Sequence, residues 1–547
     1  MINTVNSCYN TRTMNTEYKY VWESRRGIYR VVIDTPIYSK ETKRTTHHYE
    51  TVGKAMEKGG PIEFGRKYKA IQKAQNETIS AKSVELCGEK LVLEKASSST
   101  GLRKILVRSF GKNLADRIFS LACYLVCTGD ALSNASAWQE ERGFKVLDAP
   151  RVSELLPKLT EESCSAFFKN WIGSHVKNRT LCYDITSVST YAKDMAMAEF
   201  GYNRDHEKWL KQINLAMLTD KESHIPLAFR IVNGSLGDVQ TLKDTVTDLA
   251  MYGATPYGMV MDRGFWSAEK LQMLTESGIK YMIPVPNSVG WSKKLIAKVK
   301  SDVFLIPPHL DDDGTATYGC TIYDPIKTGR RIWAHVFYSP SMETEQKQKF
   351  VDKYMACRKE LQNNEPNEKH QNFYDEYFTV STKGRGGKTH ISEKTPLADI
   401  LKEMNFGYWV LYTDMEKDAI TALEDYRDRN FIEAGFDDLK GSTDAKRLRV
   451  HYDKSVYGRI FIQFCAQILR TQLRAGISGF DQETRKYAAS PDALLRRVRM
   501  YSKVSYTGRY KSQFTVKTKG QRLIFNALGI TEEGLDSDDG KTEELLS

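Results

Sequence analysis

No stretch of the chain reaches the roughly 18–20 consecutive apolar residues that span a bilayer. The longest apolar runs, Ile118–Cys127 and Ile460–Leu469, are of helix-core length and carry polar residues. The N-terminus, MINTVNSCYNTRT, lacks an apolar signal core, so neither a secretion signal nor a membrane partner is expected. Proline is scarce, 15 in 547 residues, while 41% of the chain is hydrophobic and 27% charged, which excludes a collagen, a mostly disordered chain and a coiled-coil rod. The nine cysteines are odd in number and irregularly spaced. Cys123 and Cys127 share a helix face with no second pair to complete a zinc site, so the cysteines read as reduced thiols of a cytoplasmic protein.

What is present in excess is positive charge. Lys plus Arg is 80 against 69 Asp plus Glu, a net charge of +11, and an excess of that size favours an anionic partner, nucleic acid first. The charge is uneven. Residues 441–530 hold 18 Lys and Arg against 5 acids, and residues 531–547 hold seven acids against one Lys. The basic stretch also contains Phe461, Phe464, Tyr501, Tyr506, Tyr510 and Phe514, which reads as a folded surface facing phosphates, followed by an acidic tail.

The length allows three or four domains. Residues 1–65 read as a small β-rich region, with runs at Tyr20–Trp22, Tyr29–Ile33 and Thr45–Val52 around the basic turn Arg25-Arg26-Gly27. Residues 66–176 read as a mostly helical region: Leu102, Ile105, Leu106, Ile118, Leu121 and Leu125 recur at helix spacing, Ser97–Gly101 is a linker signal, and a second helical run covers Ser153–Ile172. From 177 to 289 the order is β-β-β-α-β-α-β: Thr180–Thr186, Gln212–Thr219, Ile225–Val232, a helix Thr241–Met251, Gly258–Asp262, a helix Ser267–Ser277, and Lys280–Val285. That alternation suggests an α/β sheet of mixed direction. Residues 290–405 read as a β-rich insertion with a flexible basic loop at Lys383–Lys388. The α/β pattern resumes over 406–470, with a strand Gly407–Thr413 and a long helix from about Ala419, before a basic C-terminal region, 471–547.

Three acids stand out by placement. Asp184 and Asp262 close the first and fourth strands of the α/β unit, and adjacent strand ends of an open sheet bring such side chains together. Glu433 lies on the helix after the resumed strand. Three carboxylates at one sheet edge make a hard oxygen site suited to Mg²⁺ or Mn²⁺, and two such ions can drive phosphodiester cleavage. On that helix Tyr426, Arg429, Glu433 and Lys440 fall at about 0°, 300°, 340° and 320°, on one side, beside an apolar stripe of Ile432, Phe436 and Leu439. An Arg and a Lys beside a metal-binding Glu suit a phosphate backbone lying across them. His47-His48, His206 and Asp238 read as turn, strand or loop residues, and His451, after the basic run Lys446-Arg447-Leu448-Arg449, as part of a DNA-facing surface.

The pattern Tyr426-x2-Arg429-x3-Glu433-x6-Lys440 resembles the YREK signature of bacterial insertion-sequence transposases with a DDE triad. Tyr183-Asp184-Ile-Thr-Ser and Met261-Asp262-Arg-Gly-Phe resemble that family's two aspartate motifs, and Asn233-Gly-Ser-Leu-Gly-Asp238 resembles its intervening segment. The separations of 78 and 171 residues fit its layout, which places an insertion in the second gap. The resemblance implies an RNase H-like catalytic core and cut-and-paste transposition: binding of terminal inverted repeats in double-stranded DNA, cleavage with two Mg²⁺ ions (Mn²⁺ substituting) held by Asp184, Asp262 and Glu433, and attack of the freed 3′-OH on target DNA. Relatives often pass through a DNA hairpin. It further implies that Tyr426, Arg429 and Lys440 contact the DNA backbone, that Trp409, in Trp409-Val-Leu-Tyr-Thr413, stacks on a flipped base, and that a homodimer forms the synaptic complex. Some relatives carry a second Trp directly after the signature Arg, where this chain has Asn430. An RNase H-like nuclease without strand transfer, or a non-catalytic DNA-binding protein derived from a transposase, remains open, and a bacterial cytoplasmic location, on the nucleoid when DNA-bound, is expected.

Overall fold

The computed structural model describes residues 18–39, 43–69, 81–176, 179–201, 203, 207, 209–234, 238–254, 256–300, 315–383, 388–442, 447–507 and 511–531. The chain forms two compact units, residues 1–84 with 504–513, and residues 85–503 with 514–547. The first unit holds an antiparallel sheet of order β1-β2-β3-β4, made of β1 (Tyr18–Glu23), β2 (Ile28–Ser39), β3 (Arg44–Ala55) and the two-residue β4 (Glu63–Phe64). The strands follow the expected β-branched and aromatic runs. Gly27 makes the β1–β2 turn at φ 63°, a left-handed conformation that a side chain disfavours. Val31, Val52 and Ala55 form this unit's small core.

A strand β5 (Ala81–Leu86) leads into six α-helices of the second unit: Gly88–Thr100, Leu102–Phe110, Lys112–Thr128, Ala135–Glu141, Ala149–Leu155 and Glu161–His175. Ser97–Thr100 is not the linker its composition suggested. Thr100 Oγ1 donates to the carbonyls of Ala96 and Ser97, so its hydroxyl is absorbed by the helix, and Gly101 alone makes the break. The run over 153–172 is interrupted at Leu156–Lys158, where Pro157 cannot continue the ladder. These helices are not a free-standing module. Phe167, Phe168 and Trp171 pack among Phe229, Phe461 and Phe464, and the Trp171 indole N–H donates to the Pro226 carbonyl at 2.9 Å, so one core joins helices and sheet.

The sheet has eight strands in the order β11-β12-β15-β10-β9-β6-β7-β8. They are β6 (Thr180–Thr190), β7 (Lys211–Asp220), β8 (Pro226–Asn233), β9 (Gly258–Met261), β10 (Lys280–Val285), β11 (Ala316–Ile322), β12 (Trp333–Tyr338) and β15 (Tyr408–Thr413). β6, β9 and β10 run parallel at the centre, and the remaining pairings are antiparallel. The expected β-β-β-α-β-α-β order over 177–289 is present, with helices Asp238–Met251 and Ala268–Glu276.

The reading of 290–405 as β-rich needs correction. Two of its strands, β11 and β12, join the main sheet, while the rest is mostly helical, with Gly290–Val299, the long Pro340–Gln362, Gln371–Tyr377 and Leu397–Glu403 around one hairpin of β13 (Phe378–Lys383) and β14 (Lys388–Glu393). Ser339 caps the long helix by accepting the Met342 N–H, and Pro340 sits at its first turn, where a missing N–H carries no penalty. Residues 384–387 of the basic loop lie outside the described residues.

The boundary at 470 also falls away. One helix, Asp453–Ser478, runs straight through it. It packs so close to the Leu156–Lys158 turn that a Cβ on Gly458 would meet the Leu156 carbonyl oxygen at 2.2 Å. Phe461, Phe464 and Tyr501 are core residues and Arg459 and Arg470 are buried, so this basic stretch is only partly a surface. Arg485, Lys486, Arg496, Arg497 and Arg499 are among its exposed cations, and residues 532–547 lie outside the described residues. The two longest apolar runs are buried segments of the helices Lys112–Thr128 and Asp453–Ser478, and among the described residues no single helix is long and apolar enough to cross a membrane.

Candidate active site

The sheet register sets the first two acids side by side. β6 and β9 are parallel neighbours with Tyr183 opposite Met261, so the next residue on each chain is an aspartate, Asp184 and Asp262. Neighbouring strands lie about 4.8 Å apart, which brings the two side chains together. Asp262 does follow the end of β9, but β6 runs on to Thr190, so Asp184 stands mid-strand and not at the strand end its sequence suggested. Below them Tyr183 packs edge-on against buried Phe265, ring centroids 5.0 Å apart, which ties the first strand to the turn Arg263–Phe265 that follows Asp262. One Asp184 oxygen accepts its neighbour's backbone N–H, from Ile185 at 2.8 Å, and the other faces the site.

Glu433 comes from the segment after β15. The expected single helix is two, Ala419–Arg427 and Asn430–Asp437, followed by a π-turn at Asp438–Ser442. Asp428 and Arg429 keep helical dihedrals, but the ladder tightens there. The Arg429 N–H donates to the Tyr426 carbonyl three residues back, and the Phe431 and Ile432 N–H groups repeat the short step. The kink falls at Arg429, whose guanidinium is 7% exposed and faces all three acids. It lies 3.4 Å from Asp184 Oδ2, 3.6 Å from Asp262 Oδ1 and 3.3 Å from Glu433 Oε1. Asp262 and Glu433 open to solvent, at 47% and 62% side-chain exposure, whereas Asp184 is 14% exposed.

Tyr426 completes the wall. Its hydroxyl donates to Asp262 Oδ1 at 3.5 Å, and the Arg429 guanidinium lies 5.5 Å from its ring centroid. Burial pushes the Tyr426 hydroxyl well above its ordinary range, so it stays a donor. Burial works against the Arg429 charge, but the carboxylates of Asp262, Asp184 and Glu433 help to outweigh it and hold the guanidinium above its usual value. Trp409 sits on β15 opposite Phe337, ring centroids 4.6 Å apart, and 5.8 Å from Tyr426. Its buried indole nitrogen finds no hydrogen-bond partner among the described residues. Lys440 lies farther along, in the π-turn, half-buried. The side chains of Asp238 and His206 lie outside the described residues.

Residues that no sequence motif picks out hold this arrangement. Asp438, just past the Glu433 helix, pairs with Arg470 at 3.2 Å and also with Arg474, and Arg470 in turn reaches Asp492 at 2.9 Å, anchoring the segment to the helix Asp453–Ser478. Lys221, in the β7–β8 turn, pairs with Asp425 at 2.5 Å, and His224 of that turn stacks on Phe431 at 3.8 Å. The members of these pairs stand up to 207 residues apart, and no local pattern marks them.

The donor set tests whether divalent cations fit. Asp184, Asp262 and Glu433 offer oxygen alone, two of them open to solvent, and they already share one cation, the Arg429 guanidinium, so they suit a hard ion. Their oxygens do not all stand within 4.8 Å of one another.

Across residues 176–469, more than half of the chain, the sequence matches the family described as "Transposase DDE domain". No curated protein matches it. Among solved structures it is similar to a piggyBac transposase synaptic complex with hairpin DNA, at 11% identity and a TM-score of 0.36, covering 84% of this chain and 81% of that one.

Proposed function

The chain belongs to the transposase DDE domain family, and from that premise we propose that it acts on the terminal inverted repeats of a bacterial mobile element, cleaves at the element's ends and joins the freed 3′-OH to target DNA. The observation that carries this reading is the convergence of Asp184, Asp262 and Glu433 on one guanidinium. The order β8-β7-β6-β9-β10, the five strands at one end of the sheet with only β7 reversed among them, supports an RNase H-like core. The spacing Tyr426, Arg429, Glu433, Lys440 supports the YREK group within the family.

Family members work with divalent metal ions, and we assign two Mg²⁺, or Mn²⁺ in their place, to Asp184, Asp262 and Glu433. Such ions supply Lewis-acid activation of the attacking oxygen and neutralise charge at the scissile phosphate. The chain's own residues do the positioning. Asp184, fixed by the Ile185 N–H, forms the rigid wall, and Asp262 and Glu433 form the open side that DNA approaches. Arg429 turns from the acids to a backbone phosphate as DNA arrives, since a guanidinium binds phosphate bidentately. Tyr426 and Lys440 add contacts along the same strand, and Trp409 stacks on a base extruded beside the cut. The partners are double-stranded DNA and a second copy of the chain in the synaptic complex, with the N-terminal regions 1–65 and 66–176 contributing to DNA contact. The location is the bacterial cytoplasm, on the nucleoid.

Labelled terminal repeats from the DNA flanking the gene, incubated with the full chain in Mg²⁺, test this. Strand-transfer product is expected. Cleavage alone would reduce the protein to a nuclease, and a mobility shift without cutting to a binding protein. Asp184→Ala, Asp262→Ala and Glu433→Ala are each expected to lower cleavage by about 10³-fold or more while end binding persists.

A further inference from the structure

The helical part of 290–405 has a core of its own, apart from the main one, built from Tyr354, Leu361, Tyr374, Tyr377, Phe378 and Ile400 around Cys357. At its margin three metal-ligating side chains meet. Cys357 and Glu360 stand one turn apart on the helix Pro340–Gln362, and His370 ends the short turn Glu368–His370. Cys357 is fully buried, while Glu360 and His370 keep 26% and 28% side-chain exposure. One ligand atom from each lies within 4.8 Å of the others.

The set has the chemistry of a specific ion. A thiol and an imidazole beside one carboxylate are poor ligands for Mg²⁺ or Ca²⁺ and good ones for Zn²⁺, which takes sulfur, nitrogen and oxygen donors in a tetrahedron. Three protein donors leave one position for water. The surroundings hold the carboxylate in place, as outer hydrogen bonds of metal ligands do. The Tyr374 hydroxyl donates to Glu360 and accepts the Asn367 N–H at 3.0 Å. The two ligands His370 and Glu360 themselves meet, Nδ1 to Oε2, at 2.8 Å, a contact that an ion between them would replace. The location also gives an ion work to do. So few buried residues make a weak core, and small cores are commonly stapled by a disulfide or a metal. An ion here would fasten the C-terminal end of the 23-residue helix to the turn that reverses the chain.

We propose that Cys357, Glu360 and His370 form a zinc site that staples this helical subdomain, separate from the acid triad. It does not rest on the transposition reading. The full chain, dialysed against Zn²⁺ and passed through a desalting column, is expected to retain one equivalent by elemental analysis, and Cys357→Ser and His370→Ala each to retain none. To exclude zinc held by the triad, the measurement is repeated on a chain carrying Asp184→Asn, Asp262→Asn and Glu433→Gln, which is expected to keep its equivalent. Co²⁺ loaded into the unsubstituted chain is expected to show a thiolate-to-cobalt charge-transfer band that Cys357→Ser lacks. Absence of that band in the unsubstituted chain, or a zinc content unchanged by both single substitutions, would overturn the proposal and leave the three as a hydrogen-bonded cluster.

Discussion

Arg429 is the cation that three carboxylates share, and it is nearly buried. Removing one partner from a buried ion pair costs about 3–5 kcal/mol, and because Asp262 and Glu433 are half open to water the expected loss for Arg429→Gln is smaller, about 1–2 kcal/mol. Urea denaturation of the full chain reads it, and millimolar Mn²⁺ should restore most of the loss, since the ion replaces the missing charge. Equal stability of the two proteins without Mn²⁺ would mean that the guanidinium does not balance the acids. At this scale much was legible in advance. That Asp184, Asp262 and Glu433 would converge followed from local patterns, although Asp184 stands mid-strand in β6 and only Asp262 follows a strand end. The helical wheel also put Arg429 beside Glu433, but not the break in the helix at Asp428 and Arg429, nor that the guanidinium would pair with Asp184 and Asp262 in place of a phosphate. Asp438 and Arg470 were not legible either, since their pairing is set by tertiary packing.

Between elements, the helix Asp453–Ser478 and the turn Leu156–Lys158 touch backbone to backbone through Gly458. Gly458→Ala puts a methyl group where a carbonyl oxygen stands and is expected to cost about 1–3 kcal/mol, read as a lowered melting temperature. Because the same long helix carries Arg470 and Arg474, which hold Asp438 beside the Glu433 helix, cleavage should fall at temperatures where the unsubstituted chain is still active. An unchanged melting temperature would show that the helix can slide away from the turn. The strands of the sheet were legible from alternation and β-branched residues, and their order around the acids followed. The helical content of 290–405 was not. Its helices are short or polar, and Tyr354, Cys357 and Leu361 fill a core too small to give a long apolar stripe.

For the whole molecule, a net charge of +11 with exposed arginines at 485, 496, 497 and 499 makes DNA binding a matter of ion release. With six to ten phosphates neutralised, affinity should fall by about 10³–10⁵ between roughly 50 and 200 mM salt, and a fluorescence-anisotropy titration that loses less than tenfold would contradict a phosphate-tracking surface. The basic stretch was visible in the sequence, but not that Arg459 and Arg470 within it would be spent on the interior, since charge counts carry no information on burial. The proposed chemistry requires three carboxylates to act as one cation site. Mn²⁺ bound by the full chain on a duplex bearing its cleaved end can be counted by electron paramagnetic resonance, beside the same chain with Asp184→Asn and Asp262→Asn. The predicted result is a loss of about two Mn²⁺ per chain in the substituted protein, and equal counts in the two would contradict it.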